Sequence, residues 1–134
     1  MTTSTVELSV AQAWEHLRTE KIGRLITLID GAVDVYPINY VCSADTIVLR
    51  THPGSKLFGV AVFRDVVFEV DHYDPAEPVA WSVVIHAMAH IDTRISALAD
   101  ADAADLHPIV DIDADDLIVL KPYRVTAREF TLHS

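Results

Sequence analysis

The sequence predicts a mainly β protein, about six strands closed or nearly closed into a barrel with small helices beside it. Three observations carry this. The run "VAWSVVIHAMAHI" (79–91) alternates Trp81, Val83, Ile85, Ala87, Ala89 and Ile91 on one face with Ser82, Val84, His86, Met88 and His90 on the other. The dipeptide Asp30-Gly31 separates two β-rich apolar runs, as a tight hairpin turn does. Further runs of the same kind recur along the chain, and closing them into a barrel leaves few exposed edges.

The totals bound the rest. A chain of 134 residues suits one domain, spanning 1–134, and 51% hydrophobic with 22% charged residues describes a globular protein. No apolar run approaches the roughly 20 residues that cross a bilayer, and "MTTSTVELSV" lacks the basic and apolar parts of a secretory signal. Cys42 is the only cysteine, so neither an intramolecular disulfide nor a thiolate metal cluster is available, and a buried inert thiol is its simplest role. These features predict a soluble cytoplasmic protein. A net charge of −10 argues against nucleic acid as a partner. Many of the carboxylates crowd into 98–116, which reads as a solvated surface and lacks the glycine and closing glutamate of a calcium loop.

In chain order, Ser9 and Gln12 form a capping-box pattern, and Val10, Ala13, Trp14 and Leu17 follow at helical spacing, predicting an amphipathic helix over 10–20. "RLITLI" (24–29), "VDVYPINYV" (33–41) and "TIVLRT" (46–51) are strands of an antiparallel meander. Pro37 removes a ladder donor, so its strand needs an edge, a bulge or a ligand there. Ser55 can cap a second short helix, "KLFGVAVF", which Gly59 and the β-branched and aromatic residues weaken. "DVVFEVD" (65–71) is a strand, 72–78 a proline-bearing loop, 79–91 the longest strand before the C-terminal segment, 94–105 a helix and 116–130 the last strand.

Few residues suggest chemistry. His86 and His90, four apart, would share a face on a helix, but in a strand they stand roughly 13 Å apart at about 3.3 Å per residue. They read as polar residues of the less buried face rather than as metal ligands, and His86 is also a candidate proton donor beside a ligand. No nucleophile elbow, phosphate-loop or dinucleotide-binding motif occurs. Trp81 suits a core, or the side of a flat ring. The segment "LRTHPGSKL" (49–57) stands out because no carboxylate occurs from Thr46 to Arg64. There Arg50, Thr51, Ser55 and Lys56 set two cations and two hydroxyls around a turn that leads to a predicted helix N-terminus. That chemistry suits a phosphate monoester, and a basic surface turn accounts for it equally well.

Taken in order, "GRLITLIDGAVDVYPINYV", "IVLRTHPGSKL", "VVFEVDHYDP" and "WSVVI" resemble the pyridoxamine 5′-phosphate oxidase-like family, in particular its small FMN- or deazaflavin-binding and nitroimidazole-resistance members. The resemblance runs from about Gly23 to Ile91. It implies a six-stranded split β-barrel of the FMN-binding type, forming a homodimer with cofactor sites at the interface. It also implies that Arg50, Thr51, Ser55 and Lys56 meet the phosphate of FMN or of a deazaflavin, the alternative cofactor. Pro37, Asn39 and Tyr40 would lie along the ring system, and Trp81 and Ser82 would border it. The activity implied is hydride transfer between the flavin and a small planar substrate, with the redox chemistry supplied by the cofactor. The altered C-terminal region and the absence of a catalytic constellation support an alternative, a non-catalytic cofactor- or tetrapyrrole-binding dimeric module with weak or no flavin affinity. There are two departures from relatives. His86 and Ala87 stand where relatives often have arginine and glycine, and "LHPIVDIDADD" lacks the tryptophan and glycine common near the C-terminus of flavin-binding members.

Overall fold

The structure is a computed structural model that describes residues 3–51, 64–92 and 116–132. Its elements are β1 (Thr3–Leu8), α1 (Val10–Leu17), β2 (Ile22–Ile29), β3 (Ala32–Ser43), β4 (Thr46–Thr51), β5 (Arg64–His72), β6 (Val79–Asp92) and β7 (Asp116–Leu132). The second and third helices expected from the sequence, with Ser55 and Lys56, lie outside the described residues.

All strands are antiparallel to their neighbours. β7, β4, β3, β2, β5 and β6 follow one another, and β6 returns to β7, so six strands close a ring as expected. β1 is an addition the sequence did not announce. It pairs with the second half of β7 (Thr3↔Leu132 to Leu8↔Ala127), while β4 pairs with the first half (Ile47↔Leu120 to Thr51↔Asp116). The β6–β7 ladder spans both halves and shifts register between His86 and Ala87.

The interior follows strand alternation. Leu25, Ile38, Tyr40, Leu49, Phe68, Val70, Val83 and Ile85 are buried, and α1 closes the core with Ala13 and Leu17. Each such aliphatic or aromatic side chain, fully buried, contributes about 1.5–3 kcal/mol to folding. The helix begins as its sequence dictates. The Ser9 side chain accepts from the Gln12 backbone N–H, and the Gln12 side chain accepts from the Ser9 N–H at 2.9 Å. Gly23 faces inward at a place with no room for more: a Cβ there would lie 2.5 Å from the Phe68 ring.

The β2–β3 hairpin turns at Asp30 and Gly31, with φ of 51° and 79°. Beyond the turn β3 has β2 as its partner through Asn39, and its ladder with β4 begins only at Tyr40↔Leu49. Among the described residues Pro37 therefore has no ladder partner on its β4 side, where its missing N–H breaks no ladder. β2 in turn pairs with β5 only over Arg24↔Glu69 to Ile26↔Val67. Beyond Ile26 the hairpin makes no ladder with β5 among the described residues. Among the described residues no helix is long and apolar enough to cross a membrane.

Candidate functional site

The outward residues of β3, β2, β5 and β6 form one continuous face. Register sets Pro37 beside Arg24, Arg24 beside Glu69 and Glu69 beside Val84. One step along the strands, Asn39 stands beside Ile22, and Asp71 beside Ser82. Between Pro37 and Glu69 lie two strand spacings, about 10 Å.

Arg24 is the hub of this face. Its Nε donates to Glu69 Oε1 at 2.5 Å, and its Nη2 lies 3.2 Å from Asp71 Oδ2. The second contact is an ion pair without a hydrogen bond, since Nη2 is buried with no hydrogen-bond partner. Burial pushes the Glu69 carboxyl up to about 7; its hydrogen bond to Asp71 adds to the rise, and Arg24 opposes it. An arginine given wholly to one carboxylate would hold it low. Here one guanidinium is divided between two, so desolvation prevails.

The expected site residues separate by face. Pro37 is exposed, and Asn39 and Ser82 are half-buried; all three belong to the outer face. Tyr40 and Trp81 point into the barrel. The Tyr40 hydroxyl donates to the Leu17 carbonyl at 2.5 Å, and its ring meets Phe68 edge-on at 5.2 Å. Trp81 stacks on His16 of α1 at 4.4 Å and lies parallel to His72 at 6.1 Å. Arg50 and Thr51 end β4, opposite Leu117 and Asp116 of β7. Cys42 is half-buried, and burial pushes its thiol up to about 11, consistent with an inert side chain.

Sequence reading passed over Arg24, Glu69 and Asp71. The signal available was two carboxylates, two apart on one strand face, in a run otherwise apolar. Nothing local paired them with Arg24.

His86 also faces outward, with its ring tilted 49° to Tyr123 at 6.3 Å. The Tyr123 hydroxyl donates to Asp65 Oδ1 at 2.6 Å, which raises its pKa. A groove of about 300 Å³ opens there, where β2 and β5 part, lined by Ile26, Leu28, Val33, Val67, His86 and Tyr123 among others.

Residues 9–133 match the pyridoxamine 5′-phosphate oxidase family along nearly the whole chain. The chain belongs to that family. An uncharacterized protein of Mycobacterium tuberculosis is 31% identical over 85 residues, 63% of this chain and 76% of that one. A Corynebacterium glutamicum protein, a candidate pyridoxamine 5′-phosphate oxidase, is 32% identical and superposes with a TM-score of 0.85 over 96% of this chain and 100% of its own. The FAD binding protein of Mycobacterium smegmatis is 28% identical, with a TM-score of 0.81 over 95% of this chain and 99% of that one. The split-barrel fold is therefore that of the family.

Proposed function

We propose that this member of the family is a flavin-dependent oxidoreductase, binding FMN or a deazaflavin against its outer sheet face and acting on a small planar substrate. The observation that carries the reading is the face itself. Pro37, Asn39 and Ser82 share it, and apolar Ile22 and Ile26 offer a flat ring surface to pack on. The polar Arg24–Glu69 pair lies alongside. Donors, acceptors and apolar surface of this kind fit an isoalloxazine ring, which is apolar across its planes and polar at one edge. The M. smegmatis relative, described as an FAD binding protein, supports the same ligand class.

In this reading Arg50, Thr51, Ser55 and Lys56 hold the phosphate, and Tyr40 and Trp81 support the face from beneath rather than forming it. When bound, the flavin supplies the hydride chemistry. The chain supplies position, a partly dry surface and charge. A second copy of the chain covers the face and completes the site, because Leu28, Val33 and Val35 of the hairpin are apolar and exposed.

The test is an absorbance and fluorescence titration of the purified protein with FMN, FAD and a deazaflavin. Saturable binding of at least one is expected, weakened at least tenfold in R50A/K56A by loss of two charge-assisted phosphate contacts. Unchanged affinity in that double variant sinks the phosphate assignment, and no binding by the wild type sinks the flavin reading. Turnover with a reduced cofactor separates an oxidoreductase from a carrier.

A further inference from the structure

The charge on the outer face is not balanced. Among the described residues, Arg24 from β2 is the single cation in contact with two carboxylates of β5, Glu69 and Asp71. β6 sets Val84 directly opposite Glu69, with Ser82 and His86 at the diagonal positions. β7 follows with Thr126 beside Val84 and Arg128 beside Ser82, and β3 contributes Pro37. With both carboxylates ionised the cluster carries one net negative charge, and one added proton makes it neutral.

A planar ligand laid on this face takes the cluster further out of water, which penalises its charged form. The proton then belongs on the less exposed carboxylate: the Glu69 side chain is 20% exposed and that of Asp71 52%. Hydrogen bonding acts in the same direction. An ionised carboxylate only accepts, whereas the acid form also donates, so only the acid offers a proton to a ring carbonyl.

We propose that Glu69 contacts the bound ring in its acid form, donating a hydrogen bond to a carbonyl at the ring edge, so that binding takes up a proton. The inference rests on the flavin reading and adds to it a ligand class: a planar ring with a carbonyl edge and no negative charge on the ring. Arg24 is a positioning residue, holding the Glu69 carboxyl by its other oxygen. Asp71 keeps Arg24 from fixing Glu69 in its ionised form, and the ring carbonyl replaces Asp71 as the partner of the Glu69 acid proton.

The sign follows from linkage. The free carboxyl, already displaced upward, is displaced further by the ligand, so affinity must increase as the pH falls. Between pH 8 and pH 6 the wild type should gain up to about tenfold in FMN affinity beyond the gain of E69Q. The FMN phosphate also titrates near pH 6, and comparing the two proteins cancels that contribution. E69Q, neutral and still a donor, should bind more tightly than wild type at pH 8. Both proteins are compared at a concentration where their measured masses agree. The carboxyl ¹³C resonance of Glu69 in the wild type gives a readout that needs no variant: its midpoint should lie near 7 when free and move upward with FMN. Parallel pH profiles for the two proteins, or a midpoint unmoved by FMN, overturn the Glu69 assignment while leaving the flavin reading in place. Absence of binding of FMN, FAD and a deazaflavin at both pH values overturns both.

Discussion

Tyr40 sends its hydroxyl inward to a carbonyl in the last turn of α1, and its ring packs on Phe68. A helix end has carbonyls without intrahelical partners, and the Leu17 carbonyl finds its donor in this phenol. Burial raises the phenol pKa, so the donor stays protonated across the working pH range. Tyr40→Phe therefore removes one buried hydrogen bond and leaves an acceptor unmet, at a cost of about 1–2 kcal/mol in urea unfolding. Because the side chain lies beneath the proposed cofactor face and not on it, FMN affinity should stay within about twofold of wild type. A large affinity loss at unchanged stability would move Tyr40 onto the ligand. Sequence alone could not decide between these roles. "PINY" shows that Pro37 and Asn39 share one face and Tyr40 takes the other, but not which face is inside.

At the scale of elements, legibility followed locality. The capping box of α1 and the Asp30-Gly31 turn were readable because each involves residues within three of one another. β6 was readable because both of its faces alternate over many residues. β1 was not: Ser4, Thr5, Val6 and Glu7 are all exposed on an edge, so burial imposes no pattern on them. The Arg24–Glu69–Asp71 cluster was hidden for a different reason, since Arg24 and Glu69 meet across 45 residues of chain by a register no local pattern encodes. The hairpin turn offers a direct check of local coding. Gly31 has φ of +79°, and a Cβ there meets nothing within 4 Å. Gly31→Ala should therefore cost backbone strain alone, about 1–2 kcal/mol in the unfolding midpoint analysis. A loss several times larger would mean that the turn is packed against something else, such as a second copy.

For the whole molecule, the decisive feature is a hairpin whose outward apolar side chains are uncovered. Leu28 is 66% exposed, Val33 64% and Val35 54%. Leu28 and Val33 are directly opposed across the hairpin, and Val35 is opposite Ile26, so these exposures join into one patch. The patch continues into the groove beside His86 and Tyr123. A stable protein–protein interface removes roughly 800 Å² per partner, about a tenth of the 7904 Å² surface of this chain. Leu28, Val33 and Val35 of the hairpin and Ile22 of the neighbouring outer face put four exposed apolar side chains on one side of the described surface. Self-association through this surface would also bury the Glu69 face, shielding a bound ring from water and strengthening its polar contacts. Assembly and cofactor binding should therefore fail together. L28D/V33D places two carboxylates in the patch of every copy, and burying them unpaired opposes association strongly. Light scattering on a sizing column should give twice the chain mass for the wild type and the single chain mass for the variant. Circular dichroism should be unchanged, because neither side chain belongs to the core. The variant should also lose most of its FMN affinity. A monomer that still binds FMN as the wild type does would place the cofactor site within one chain; a dimer that survives both carboxylates would place the interface elsewhere.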